Sequence, residues 1–152
     1  MGRWLRAADH MPDQVLCSTA RRARETWQLA AAGLEADPPV EFADGVYEAS
    51  AERLLDLIRR ARPAVATLLV VGHDPSLPEL AVMLAAFPGR RLSDAASAAA
   101  LERMRAKFPT AAVAVLEFNA KWDQLAPAAA RLSCFVTPRD LAAPGKPGRP
   151  TA

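Results

Sequence analysis

Histidine and cysteine are scarce in this chain, and their scarcity narrows its chemistry. There are two histidines, His10 and His73, and two cysteines, Cys17 and Cys134. The cysteines lie far apart, each in an apolar, strand-like run. That argues against a disulfide framework or a metal cluster and for free buried thiols in a reducing compartment. No apolar stretch reaches the roughly 18 residues that a membrane-spanning helix requires, and no charged-then-apolar leader opens the chain. A soluble, cytoplasmic protein is expected. Charge of one sign is also lacking: the net charge is +2 and the pI near 8.8, too weak to argue for nucleic acid. What is present is an ordinary globular balance, 51% hydrophobic and 24% charged over 152 residues. That is enough for one core and short for two domains.

Along the chain, strand-like and helical patterns alternate. Residues 1–8 read as a helix, broken by Pro12-Asp13 before a short strand, Gln14 to Ser18. Thr19 to Ala32 fits a helix with Ala23, Trp27 and Ala30 on one face. A short strand, Val40 to Phe42, follows the Pro38-Pro39 breaker. Ser50 suits the N-cap of a helix from Ala51 to about Ala61, with Leu54, Leu55 and Ile58 inward. Next come a strand ending at His73 and a helix from Leu77 to Ala86, closed by Pro88-Gly89. Ser97 to Lys107 reads as helix. Ala112 to Phe118 and Arg131 to Val136 read as strands joined by a loop containing Trp122. From Ala142 the chain is rich in proline and glycine and is expected to be a disordered tail, 142–152. The alternation predicts a layered α/β domain over residues 1–141.

Two segments carry chemistry. The continuously apolar run Leu68 to Val71 predicts a strand covered on both faces of a parallel sheet. It ends in Gly72, placed to turn the backbone, then His73, with Pro75 suited to the first turn of a helix. Ligand sites in open α/β sheets collect where strands end and helices begin. A histidine there can bind an anion or exchange a proton, or simply cap a loop. The second segment is Cys17-Ser18-Thr19-Ala20-Arg21-Arg22, a strand end running into a helix. The first N–H groups of that helix, with Arg21 or Arg22, suit a phosphate, because a guanidinium holds two phosphoryl oxygens at once. The competing reading is a solvated arginine face. A cysteine phosphatase loop, Cys-x5-Arg, is refused by the register, since position 23 is alanine.

Together the pattern Ser18-x-x-x-Arg22-Ala23-x-x-Thr26 and the later strand ending Gly72-His73 resemble the histidine phosphatase superfamily, with its phosphoglycerate-mutase-like fold. The small bacterial phosphohistidine phosphatases of the SixA type are the nearest match. Supporting stretches are Val46-Tyr47-Glu48-Ala49-Ser50, Gly72-His73-Asp74-Pro75-Ser76-Leu77, Lys107-Phe108-Pro109-Thr110, Leu116-Glu117-Phe118 and Phe135 to Leu141. The resemblance implies a three-layer α/β sandwich with a mostly parallel central sheet flanked by helices. It implies that Arg22 and His73 are catalytic, that Ser18, Arg22 and His73 bind the phosphoryl group, and that no metal or organic cofactor is needed. Glu48 lies where mutase relatives place an acid and is the candidate proton donor. The substrate class implied is phosphorylated, with an open site suited to a phosphohistidine-bearing protein. Neither nucleic acid nor membrane is expected as a partner, and the oligomeric state is left open.

One feature of the resemblance is missing. Family members begin with a strand ending in Arg-His-Gly or Arg-His-Ala, whose histidine is the nucleophile, and no Arg-His pair occurs in these 152 residues. His10 follows the first helix, where the family has no catalytic residue, and reads as a surface histidine. The first eight residues match the latter half of the helix that normally follows the nucleophile strand. The expectation is therefore an N-terminally truncated domain, lacking about 30 residues of strand, loop and half-helix. Such a chain is expected to be inactive and marginally stable, and to oligomerise or repack over the gap. A second reading is a non-catalytic phosphate or phosphoprotein-binding module that keeps Arg22 and His73. A third, a basic surface for an acidic partner, is weakened by the acids Glu25, Glu52 and Asp56 interleaved with the arginines.

Overall fold

The apolar run Val15–Cys17 lies at the centre of the molecule. The computed structural model describes residues 1–86 and 95–142. Its elements are α1 (Gly2–Ala7), β1 (Gln14–Ser18), α2 (Arg21–Leu34), β2 (Val40–Ala43), a 3-10 turn (Asp44–Val46), α3 (Ala51–Ile58) and β3 (Leu68–Val71). There follow α4 (Ser76–Ala85), α5 (Ala95–Ala106), β4 (Val113–Glu117), a 3-10 turn (Trp122–Gln124), β5 (Arg131–Val136) and α6 (Pro138–Ala142). The Pro88-Gly89 helix stop and the tail from residue 143 lie outside the described residues. Ala142, expected to open that tail, instead closes α6.

β1 pairs in parallel with β2 on one edge and β3 on the other. Its side chains alternate between two helical layers. Leu16 packs with Leu54, Leu55, Ile58, Leu80 and Leu84 from α3 and α4. Val15 and Cys17 pack with Leu5, Ala23, Trp27 and Leu34 from α1 and α2. This is the expected three-layer α/β arrangement. Glycine permits the close approach of α1 to α2: a Cβ on Gly33 would stand 2.7 Å from the backbone nitrogen of Arg3. β4 and β5 form a separate antiparallel ribbon, joined to the rest through Ala81 and Ala85 of α4 and Leu101 and Met104 of α5. No helix among the described residues is long and apolar enough to cross a membrane.

One expectation needs correction. Leu68 to Val71 is not a fully covered strand; all four residues are half-buried. Among the described residues β3 pairs only with β1, and β4 only with β5, so one edge of each strand is uncovered. The unpaired edges of β3 and β4 border one cleft of about 920 Å³, whose walls include Leu68, Leu69, Val113 and Val115. An apolar hollow of about 180 Å³ adjoins it, against Val70, Leu116 and Trp122.

Smaller differences have local causes. α2 begins at Arg21 rather than Thr19, because the Thr19 hydroxyl donates to Asp44 Oδ1 at 2.6 Å and the N–H of Ala20 donates to Ser18 Oγ. α3 stops at Ile58, short of Ala61, with Ser50 capping it as expected by accepting the N–H of Arg53. Within α5, the Ser97 hydroxyl donates to the Leu132 carbonyl and ties the helix to β5.

Candidate functional site

Because β1 and β3 are parallel neighbours with Cys17 opposite Val71, their carboxyl ends finish side by side. Ser18 closes β1, Arg22 stands in the first turn of α2, and His73 lies two residues beyond β3. The structure brings these three sequence-identified residues together. Arg22 Nε donates to His73 Nδ1 at 3.2 Å, and His73 Nε2 lies 2.8 Å from Ser18 Oγ. Since Nδ1 accepts from a permanently charged guanidinium, the ring is neutral with its proton on Nε2, which donates to the serine. Ser18 is fully buried and also accepts the N–H of Ala20, so it locks the turn and the imidazole at once. Gly72 matters here for space rather than for a left-handed turn. A Cβ there would stand 3.1 Å from Val46 Cγ1 and 3.4 Å from Leu77 Cγ. Pro75 lies just ahead of α4, at its N-cap position rather than within its first turn.

The surroundings suit an anion. The N–H groups of Arg21 and Arg22 precede the first intrahelical bonds of α2, which Ala23 and Arg24 make to the Ala20 carbonyl, and the first turn holds no acid. Arg21 is tied to Glu25 at 2.7 Å, while among the described residues Arg22 has no acidic partner and is free to turn toward a ligand. Burial, and then the neighbouring Arg22 charge, hold the His73 pKa below its usual value near 6.5. Between the depressed and the ordinary value the unfolded chain binds more protons than the folded one. Stability from this group is therefore present above about pH 6.5 and lost as pH falls through the folded value. A ring-proton NMR titration is expected to place the His73 midpoint below 6.5. Arg22→Gln is expected to raise it part of the way, since burial is the larger cause, and bound phosphate in the unaltered chain to raise it by setting an anion between the ring and the Arg22 cation. A midpoint unmoved by phosphate would contradict an anion site at this ring.

Other candidates separate from this cluster. Glu48 is exposed, at a positive φ of 52°, and makes no hydrogen bond with Ser18, Arg22 or His73. Thr26 bonds back to the Arg22 carbonyl at 2.9 Å within its own helix. Cys17 is wholly buried and its thiol pKa is raised by that burial, which suits a core residue rather than a nucleophile. His10 packs on Trp4 with ring centroids 5.6 Å apart, before the amino end of β1 and so across the sheet from His73. Among the described residues no group of three or more histidine, cysteine or acidic side chains converges as a metal site. In the sequence Tyr47 stands out only as part of the stretch Val46-Tyr47-Glu48-Ala49-Ser50. The structure sets its ring edge-on to His73, centroids 5.5 Å apart at 85°.

No protein-family model matches the chain. An uncharacterised protein of Mycobacterium tuberculosis is 44% identical over 138 residues, which cover 91% of this chain and 81% of that protein. One from Mycobacterium leprae is 38% identical over 138 residues, 91% of this chain and 79% of its own. Among solved structures, a candidate phosphohistidine phosphatase SixA from Nakamurella multipartitia superposes with a TM-score of 0.72 at 28% identity, covering 90% of this chain and 77% of that one. Its counterpart from Agrobacterium tumefaciens gives 0.67 at 27%, covering 90% and 75%. A protein histidine phosphatase SixA complexed with tungstate shares the fold, at 0.63 and 19%, over 92% and 78%. With the Ser18, Arg22 and His73 cluster at the carboxyl edge of the same parallel sheet, the chain belongs to the histidine phosphatase superfamily, among the SixA-like proteins.

Proposed function

We propose that this protein is a phosphohistidine phosphatase in which Arg22, His73 and Ser18 hold the phosphoryl group, and that the histidine nucleophile is not among the 152 residues of this chain. The observation that carries the reading is the bond from Arg22 Nε to His73 Nδ1, at the carboxyl ends of two adjacent strands. A phosphoryl group entering between them replaces that bond with charge-assisted contacts on both sides. Arg22 neutralises phosphoryl oxygens, and His73, once it gains a proton on Nδ1, donates to the charge that develops during transfer. Ser18 keeps the imidazole aimed from behind. The attacking imidazole would come from a segment outside this chain, forming a phosphohistidine that water then resolves. Glu48 is the candidate proton donor, though an imidazole leaving group requires little acid help. The substrate is a phosphorylated one, a phosphohistidine-bearing protein above others, in the cytoplasm.

A non-catalytic phosphate-binding module is the second reading, favoured by the position of His10 on the far side of the sheet from His73. Two measurements on protein isolated from its source cells separate the readings: intact mass, and phosphate release from a phosphohistidine-bearing protein. A mass above 16.3 kDa by roughly 3 kDa, with release by that product and none by the chain of 152 residues, is expected. A native product of 16.3 kDa that binds phosphate without turnover would establish the binding module instead.

A further inference from the structure

Tyr47 is the chain's single tyrosine, and the residue is 46% exposed although its ring abuts His73. It is one wall of an open hollow of about 490 Å³ whose other walls are Thr19, Ala20, Arg21, Arg22 and Glu25. One side of that hollow is therefore cationic and carries the amino end of α2, and the other is an aromatic ring. The ring is held in place from both directions. Val46 before it is fully buried, and the Tyr47 N–H donates to the Asp44 carbonyl at 2.9 Å. Asp44 is in turn bonded by Thr19, which ties the segment to the loop leading into α2. After it, Glu48 takes the left-handed φ of 52°, and Ser50 caps α3. An aromatic ring fixed by its backbone yet left half in water beside an anion-holding arginine is placed to meet a ligand rather than to fill the core.

Resting on the phosphoryl-site reading above, we infer that Tyr47 is the wall against which the leaving group of the substrate packs, so that the site selects phosphoryl groups carried on planar aromatic rings. With the phosphoryl group between Arg22 and His73, its remaining substituent has the open hollow to occupy, and the Tyr47 ring flanks it. A flat imidazole or phenyl ring stacks there or meets the tyrosine edge to face. A flexible alkyl carrier gains only its buried area. The selectivity follows from ring geometry and does not require a hydrogen bond from the tyrosine hydroxyl.

Because this concerns binding, it is tested on the chain as it stands with two non-hydrolysable probes of similar size, phenylphosphonate and cyclohexylphosphonate, at a pH where both are dianions. Calorimetric titration is expected to show phenylphosphonate bound more tightly, roughly three- to tenfold, the range an aromatic pair confers beyond its area. Tyr47→Phe should keep that ratio, and Tyr47→Leu, apolar without a ring, should bring it close to one. Equal affinities for the two probes in the unaltered chain would overturn the inference, as would a ratio that survives in Tyr47→Leu. If neither probe binds the unaltered chain, the phosphoryl-site reading itself falls and this inference with it.

Discussion

Arg22→Ala is expected to weaken phosphate binding by about 100-fold or more, the largest loss of any single substitution in the site. The guanidinium supplies at least two charge-assisted hydrogen bonds to a phosphoryl group, each worth roughly 1.5–3 kcal/mol. Among the described residues no other cation bonds to His73. Arg22→Lys retains the charge but not the planar pair of donors, and should recover only part of the loss. Arg21 offers the internal comparison. Its side chain is 92% exposed and already committed to Glu25, so Arg21→Ala should cost within about threefold, as expected of a screened surface charge. Titration calorimetry with phosphate at neutral pH measures all three. If Arg22→Ala bound phosphate within threefold of the unaltered chain, the site would not be the one described.

The difference between the two arginines also shows what the sequence can and cannot reveal. Ser18, Arg22 and His73 were legible because each follows an apolar run that stops abruptly, and parallel strands carry such stops to one edge of a sheet. β1 and β5 have the limits expected from their patterns, Gln14–Ser18 and Arg131–Val136, for the same reason. Which of the two arginines stands beside His73 is not legible from spacing alone. It depends on Arg21 finding Glu25 one turn along the helix while Arg22 finds His73, 51 residues away. The contact of Tyr47 with His73 is hidden in the sequence for a related reason. Nothing local to Val46-Tyr47-Glu48 signals a ring lodged against His73, and the contact exists only once β1, β3 and the turn after β2 are assembled. Gly72 reads from the sequence as a turn residue, whereas the crowding of Val46 and Leu77 around it is tertiary and leaves no local signal. The half-burial of β3 likewise depends on what lies beside it, not on its own apolar sequence.

Amide exchange along β3 and β4 is expected to alternate. In a parallel pair, successive N–H groups of a strand point to opposite edges, so about half of those in Leu68–Val71 bond to β1 and half face the cleft. The same holds for Val113–Glu117 against β5. Residue-resolved exchange on the monomer should show paired amides at least 100-fold slower than their cleft-facing neighbours, because only the former must wait for the sheet to open. Unpaired strand edges lined by Leu68, Leu69, Val113 and Val115 also make this face the one through which copies of the chain should associate as concentration rises. Association would then slow the fast set in a concentration-dependent way. A version carrying one further strand ahead of α1, as the family resemblance implies for the complete domain, should abolish the alternation at every concentration. It should also raise the denaturant m-value, since more surface is then buried on folding. Uniformly slow exchange across both strands in a dilute monomer would mean that the cleft is already closed in solution. The missing-strand reading would then fail on its own terms, leaving the Arg22 and His73 site to be judged by its anion binding alone.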